Sequence, residues 1–332
     1  MFIVDNYLQA IVFCVITMIC WGSWANTQKL SSKSWGFPLF YWDYTFGIMI
    51  LALVFGLTLG SRGESGQAFI PNLLQASSGA IGYALLGGIV FNIANLLLVA
   101  AIDIAGMAIA FPIGIGIALV LGVIVNYFAT PNGNPVLLFI GVALVAAAIV
   151  LDAMAYKKIS QGTTTAKGIL ISLAAGVLMG FFYRFVAASM SPDYIHPTDG
   201  LFTPYAAVFV FSIGIFLSNF VFNSFFMYRP LNGTKVTYMD YFKKGTPKLH
   251  IIGIVGGSIW CIGMLFNMIA AGEAGFAISY GLGQGATMIA AIWGVFIWKE
   301  FKDAPKGTNI LIGLMFLLFI TGISLIILAK SR

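Results

Sequence analysis

Aromatic rings, an amide and a carboxylate lie close together at the end of one apolar run and the start of the next. Trp21, Trp24 and Asn26 end the first run, and Trp42 and Asp43 begin the second. Indole planes stack on rings, whereas amide and carboxylate groups hydrogen-bond to polar edges. The set therefore suits a sugar ring or a flat heterocycle. An interfacial aromatic belt, with Asp43 at a helix start, is the alternative interpretation.

Amide side chains recur inside later apolar runs. Asn92 and Asn95 are three residues apart and share one helix face. Uncharged amides suit neutral polar ligands, although hydrogen bonding between helices is the other explanation, worth about 0.6 kcal/mol in a membrane. Weaker candidates for ligand contact are Asn219, Asn267 and Gln284.

Few ionisable residues occur within the apolar runs, and each is a candidate functional group. Arg184 has three open interpretations: it extends to the membrane surface, pairs with Asp43, or holds an anionic substrate. Asp43 is the best candidate for proton coupling, because a desolvated carboxylate can load and release a proton. Asp103 and Glu273 are better explained as helix caps, and Asp152 as an interfacial charge.

The composition excludes a soluble enzyme and a disordered chain. Of 332 residues, 60% are apolar and only 8% are charged, against roughly 25% charged in soluble domains. The two histidines and three cysteines have no metal-ligand spacing, and they predict neither a cofactor nor a catalytic centre. We therefore expect an integral membrane protein in contact with the lipid bilayer, and not an enzyme.

Ten apolar runs are long enough to cross a bilayer as helices. They are approximately Tyr7–Thr27, Leu39–Gly60, Ala80–Ala101, Ala105–Tyr127, Pro135–Ala155, Gly168–Met190, Thr203–Met227, Ile251–Ala271, Ala274–Trp298 and Thr308–Ala329. Two longer connectors, Ser61–Gly79 and Tyr228–His250, are equally consistent with short interfacial helices and with ordinary loops.

The positive charges predict the orientation. Thirteen of the 17 Lys and Arg residues fall in the loops that follow the odd-numbered runs. The positive-inside rule places these loops in the cytoplasm and both termini outside, in a multi-pass protein of the plasma membrane. The net charge of +6 therefore sets topology and predicts no nucleic-acid partner.

The two halves of the chain resemble each other. Gly87–Gly116 aligns without a gap on Gly256–Gly285, at an offset of 169, with eleven of 30 positions identical and five of these glycine. We interpret residues 1–160 and 161–332 as two five-helix repeats forming one transmembrane domain. Because five is odd, the second copy is inverted, an architecture typical of secondary transporters with a site between the repeats.

Several segments resemble a known family. They are Gly87–Leu96, Ala105-Gly106-Met107, Gly122–Phe128, Tyr41–Thr45 and Trp298-Lys299-Glu300. The first four resemble the ureide permeases of plants. The region from Gly87 to Phe128 is also similar to the rhamnose–proton symporter and the glucose/ribose uptake proteins. The resemblance implies membership of the drug/metabolite transporter superfamily, whose ten-helix members have the five-plus-five inverted plan.

One departure from the plant family concerns energy coupling. The plant proteins have a large central cytosolic loop with a nucleotide-binding-like motif, whereas the connector Tyr156–Lys167 is short and has no G-x-x-x-x-G-K-[ST] pattern. We therefore expect transport driven by a gradient, or passive transport, without ATP.

These features predict a secondary active transporter that takes up a small, mostly neutral polar metabolite by alternating access, coupled to a proton or, alternatively, to sodium. The substrate is either a monosaccharide such as ribose or rhamnose, or a nucleobase, nucleoside or ureide. The alternative within the superfamily is an exporter of drugs or aromatic metabolites. A channel would need rings of charge or a filter loop, and the sequence has neither.

Overall fold

A computed structural model describes residues 1–31, 35–159, 165–230 and 234–330. Within these residues ten helices are long and apolar enough to cross a membrane, which confirms the predicted spans. In chain order the spans are Tyr7–Ser31, Phe37–Leu57, Ser78–Ala105, Ile109–Ala129, Pro135–Ile159, Ala166–Ala188, Pro204–Tyr228, Pro247–Ala274, Phe276–Ile297 and Thr308–Leu328. The predicted boundary between the repeats, at residues 160 and 161, lies outside the described residues.

Local chemistry fixes where the spans begin. The side chains of Asn6, Ser77, Thr165 and Thr246 each accept a hydrogen bond from a backbone N–H in the first turn of the helix that follows. These bonds satisfy donors that a helix start otherwise leaves unpaired, which is costly in a bilayer.

Both longer connectors contain a short helix, Phe69–Leu74 and Tyr238–Lys244. The second starts with a capping box in which Thr237 and Asp240 each receive a hydrogen bond from the other's backbone N–H. Hydrogen bonds from Lys244 and Thr237 lower the pKa of Asp240 to about 2. This short helix therefore keeps its capping carboxylate charged at physiological pH.

The spans of the two halves interdigitate. The third span packs on the sixth and seventh, and the eighth packs on the first and second. Close approach at two glycines permits this: a Cβ atom on Gly88 would lie 2.1 Å from the carbonyl oxygen of Phe211, and one on Gly257 would lie 1.9 Å from that of Tyr44. Such contacts are typical of helix packing in membranes, where small residues let backbones meet.

Candidate functional site: a cavity between the spans

A cavity of about 530 Å³ lies between the spans, within the roughly 300–1,000 Å³ usual for small-molecule sites. Spans one, three, four, five, six, eight and nine contribute to it. Exposed or half-exposed side chains at the ends of spans one, three and nine form its mouth, including Lys29, Asp103 and Glu300. The cavity therefore opens on the face that carries the odd-numbered loops.

Aromatic rings line the deep end. The ring centroids of Phe91 and Trp260 are 4.4 Å apart, and Trp21 stacks on Trp260 at 5.9 Å with an interplanar angle of 14°. Phe182 packs edge-on to Phe91 at 5.1 Å. Trp24 also lines the cavity. These faces offer a solute a stacking surface with little hydrogen-bonding capacity of its own.

Amide groups supply the polar contacts. Asn95 donates to the Tyr41 hydroxyl at 3.2 Å and also lines the cavity. The ninth span is interrupted at Gln284 and Gly285, between the helices Phe276–Gly283 and Ala286–Ile292. Gln284 lines the cavity at this break. An interrupted helix at a binding site is a recurring device in transporters, because it exposes polar groups at membrane depth.

The mouth holds a network of charged and polar groups. Lys29 Nζ lies 2.6 Å from Oε1 of Glu300, and the Tyr156 hydroxyl donates to Oε2 at 2.7 Å. The Trp298 indole donates to Oδ1 of Asn26 at 2.6 Å. The network ties the end of span one to the ends of spans five and nine, so the Asn26 oxygen serves this network while its residue lines the cavity.

Asp152 is the buried carboxylate of the cavity. Its residue is 8% exposed and it lines the cavity. None of the described residues forms a hydrogen bond or ion pair with it, although it lies close enough to Glu300 for their charges to interact. A buried carboxylate with free acceptor positions is available to a ligand or a proton.

Six predicted site residues, including Asp43 and Asn267, do not line the cavity. The other four lie on spans two, three, six and seven. Trp42 donates to Sδ of Met227 at 3.2 Å, between spans two and seven. Asn92 donates to Ser218 Oγ at 2.8 Å, and Asn219 to Thr45 Oγ1 at 3.3 Å. These contacts hold the second, third and seventh spans together. The fourth residue is Arg184, which is half-buried beside Tyr83 of the third span. It is not among the polar partners of Asp43.

Asn267 lies beyond the deep end of the cavity, away from its mouth. Its Oδ1 accepts from the Tyr183 hydroxyl at 2.6 Å, and its Nδ2 donates to the carbonyl oxygen of Ser279 at 2.8 Å. Tyr183 and Ser279 Oγ are 2.8 Å apart. Nearby, the Tyr194 hydroxyl donates to the carbonyl oxygen of Met268 at 3.0 Å. This outer network, formed by Tyr183, Asn267 and Ser279, joins spans six, eight and nine beyond the cavity.

Asp43 is buried outside the cavity. Its Oδ1 accepts from the Tyr241 hydroxyl at 2.5 Å and lies 2.9 Å from Nδ1 of His250, while the Trp35 indole donates to Oδ2 at 3.3 Å. The cluster joins span two to span eight and to the 238–244 helix. Burial, and then the hydrogen bond to Asp43, raise the pKa of Tyr241, so its hydroxyl remains a donor at neutral pH.

Sequence reasoning missed several residues of the site. Trp260 aligns with Phe91 at the repeat offset, and this pairing was the available signal for it. The sequence predicts an interfacial charge at Asp152, yet the fifth helix continues to Ile159 and places the carboxylate deeper. Asp152 could have been found from the sequence by the general rule that an ionisable residue within a membrane span needs a functional explanation.

The ten-helix bundle and its cavity define a membrane transport protein. Residues 40–165 and 158–329 match the family model "Ureide permease". This chain belongs to the ureide permease family.

Named relatives agree with this assignment. The chain is 22% identical to Ureide permease 1 of Arabidopsis thaliana over the whole of both chains. It is 24% identical to a probable glucose uptake protein of Bacillus cereus, over 94% of this chain and 96% of the relative. One solved crystal structure, 15% identical, covers 98% of the chain with a TM-score of 0.57 and shows the same fold. The relatives are named permeases and uptake proteins, and this protein is a transporter, not an enzyme.

Proposed function

We propose that this protein takes up a small, mostly neutral polar metabolite by alternating access, with the cavity as its substrate site. The observation that carries the proposal is that stacking aromatic rings line the same cavity as the polar residues Asn95, Gln284 and Asp152. Monosaccharides such as ribose, rhamnose or glucose present a hydroxyl-bearing ring to such a site. Nucleobases, nucleosides and ureides present a flat face and amide edges.

The cavity opens toward the cytoplasm in the proposed topology. The loops after the odd-numbered spans carry most of the positive charge, and the mouth lies on that face. Both termini are then outside, in the plasma membrane. The outer network lies on the opposite side and bonds span six to spans eight and nine. The conformation is therefore inward-facing. In this proposal the hydrogen bonds of the outer network break when the carrier changes to the outward-facing conformation.

An inverted repeat supports the alternating-access mechanism. At the proposed offset, the packing of span three on spans six and seven has its counterpart in that of span eight on spans one and two. Gly106 and Gly275, equivalent in the repeat, have φ/ψ of 78°/157° and 83°/152°. Cavity residues Phe91 and Trp260 are equivalent too. Two halves with equivalent contacts can exchange roles, which is how inverted repeats alternate access.

A proton is the proposed coupling ion, with sodium as the alternative. The sequence nominates Asp43 for this role. Its contacts with Tyr241, His250 and Trp35 keep its proposed action indirect, through the packing of spans two and eight. Direct coupling needs a carboxylate that both substrate and water reach.

Counterflow in proteoliposomes tests the transport proposal. Vesicles preloaded with unlabelled D-glucose, D-ribose, L-rhamnose, uracil or allantoin receive a trace of the same labelled solute outside. A carrier transiently accumulates the label, because internal unlabelled solute competes for exit. A channel equilibrates the label without overshoot. The absence of overshoot with every solute would contradict the proposed substrate classes.

The aromatic character of the cavity favours one second function, export of drugs or aromatic metabolites. Trp21, Trp24, Trp260 and Trp293 all line the cavity and suit a larger aromatic solute. Such an exporter would bind planar dyes more tightly than sugars or ureides. A thermal-shift comparison of ethidium, D-glucose and allantoin separates the two functions by which solute stabilises the purified protein.

A further inference from the structure

We infer that Asp152 is the carboxylate that takes the coupling proton, and that its protonation permits the loaded cavity to close. The inference rests on the proposed uptake function and names the residue that links proton to substrate.

The first step is access. Asp152 lines the same cavity as Asn95 and Gln284, so substrate and cytoplasmic water both reach its oxygen atoms. Its residue is 8% exposed, and the described residues supply it with no hydrogen bond or ion pair. It is thus an unpartnered polar side chain, more than nine-tenths buried, that faces the cavity. Asp43, by contrast, already accepts contacts from three side chains.

The second step is the charge of the neighbours. Glu300 binds Lys29 through one oxygen and Tyr156 through the other, so this pair is neutral as a unit. Asp103 is exposed at the mouth. Lys157 and Lys158 lie in the last turn of the same helix. The spans that pack on the fifth, which are the fourth and the tenth, contain no charged residue.

The third step is the cost of closure. With Lys29 and Glu300 compensating each other, ionised Asp152 is the buried negative charge that closure would enclose. Enclosing that charge without water is strongly unfavourable, whereas one proton removes it. The neutral carboxyl keeps one donor and its acceptor capacity for a substrate hydroxyl or amide. One proton therefore accompanies each substrate molecule when the carrier changes sides, and the cytoplasmic opening lets both leave.

Accumulation measurements separate this role from binding. The membrane potential is clamped with valinomycin and equal K⁺, and a gradient of one pH unit is applied with D-glucose or allantoin, whichever shows counterflow. A one-proton symporter accumulates its solute about tenfold, because one pH unit equals a tenfold ratio. Asp152→Asn is expected to accumulate about onefold and still to show counterflow, at a rate lowered by the loss of the carboxyl from the site. Glu273→Gln, on the opposite face, is the matched control and keeps tenfold accumulation.

Several results would overturn the inference. They are tenfold accumulation by Asp152→Asn, loss of counterflow in folded Asp152→Asn, or uncoupling by Asp43→Asn or Glu300→Gln while Asp152→Asn stays coupled. Absence of counterflow in the wild type would instead reject the proposed function, and counterflow without accumulation would reject coupling.

A measurement on the wild-type protein avoids any folding defect. Dicyclohexylcarbodiimide modifies protonated carboxyl groups in apolar surroundings, and peptide mass spectrometry locates the adduct. We expect the adduct on Asp152, decreasing as the pH rises and as substrate fills the cavity. An adduct on Asp43 or Glu300, with Asp152 unmodified, would refute the assignment.

Discussion

Phe91 and Trp260, 169 residues apart and equivalent in the proposed repeat, are in contact with ring centroids 4.4 Å apart, and both line the cavity. A contact between equivalent residues of two inverted halves lies on or near their pseudo-two-fold axis. The substrate site is therefore expected at the place where neither half moves far during the exchange of conformations. The polar residues beside this pair are the natural targets for testing binding.

Removing a cavity amide is expected to weaken binding without unfolding the protein. Asn95→Ala and Gln284→Ala should each raise the KM for the transported solute about two- to tenfold, since a hydrogen bond contributes about 0.5–1.5 kcal/mol. Initial uptake rates in proteoliposomes measure the effect. Asn126→Ala is the control, because Asn126 bonds to the Gly122 carbonyl of its own helix and lies outside the cavity lining. Equal KM values for all three variants would contradict the site.

Gly106 and Gly275 have a backbone conformation that other residues rarely adopt. Gly275 has φ 83° and ψ 152°, and a Cβ atom there would lie 2.7 Å from Nδ2 of Asn132. Gly275→Ala should therefore lower stability by about 1–3 kcal/mol. Gly82→Ala, in an open helical position, should be neutral or stabilising by up to about 1 kcal/mol. Thermal unfolding in detergent compares them, and equal midpoints would refute the strain argument.

Two hydroxyl groups hold the 238–244 helix to the bundle: the Tyr241 hydroxyl donates to Asp43, and the Tyr238 hydroxyl is hydrogen-bonded to Ser224. Tyr241→Phe should loosen the helix and speed tryptic cleavage at Lys243 and Lys244, whereas the exposed ring of Phe242 makes Phe242→Tyr a neutral control. Because the pKa of Tyr241 is raised, its contribution is fully present below pH 10 and is lost only above it. The ratio of the cleavage rates of Tyr241→Phe and wild type cancels the pH dependence of trypsin itself, and a ratio that changes between pH 6 and pH 9 would contradict this attachment.

The sequence predicts the positions of the spans well, but it predicts poorly which side of each helix faces the cavity. A run of about 20 apolar residues forms a helix that crosses the bilayer, and all ten predicted spans are confirmed. Trp21, Trp24, Asn26, Asn95 and Gln284 reach the cavity, whereas Asn92 and Asn219 bond other spans instead. Helices that are apolar on every side carry no periodic signal for rotation. Packing sets that rotation, and it depends on contacts between distant residues.

The outer network is expected to set how often the carrier faces outward. Tyr183 bonds Asn267 and Ser279, and these bonds belong to the inward-facing conformation. Tyr183→Phe removes two buried bonds, about 1–3 kcal/mol in all, and should shift the population toward the outward-facing state by about 5- to 150-fold. A cysteine at the cavity, Thr287→Cys, reports the shift through faster labelling by an impermeant maleimide added outside.

The native cysteines Cys14, Cys20 and Cys261 are buried and contribute little background. Tyr228→Phe, an exposed tyrosine, is the control. Unchanged labelling in Tyr183→Phe would show that the outer network does not hold the carrier closed.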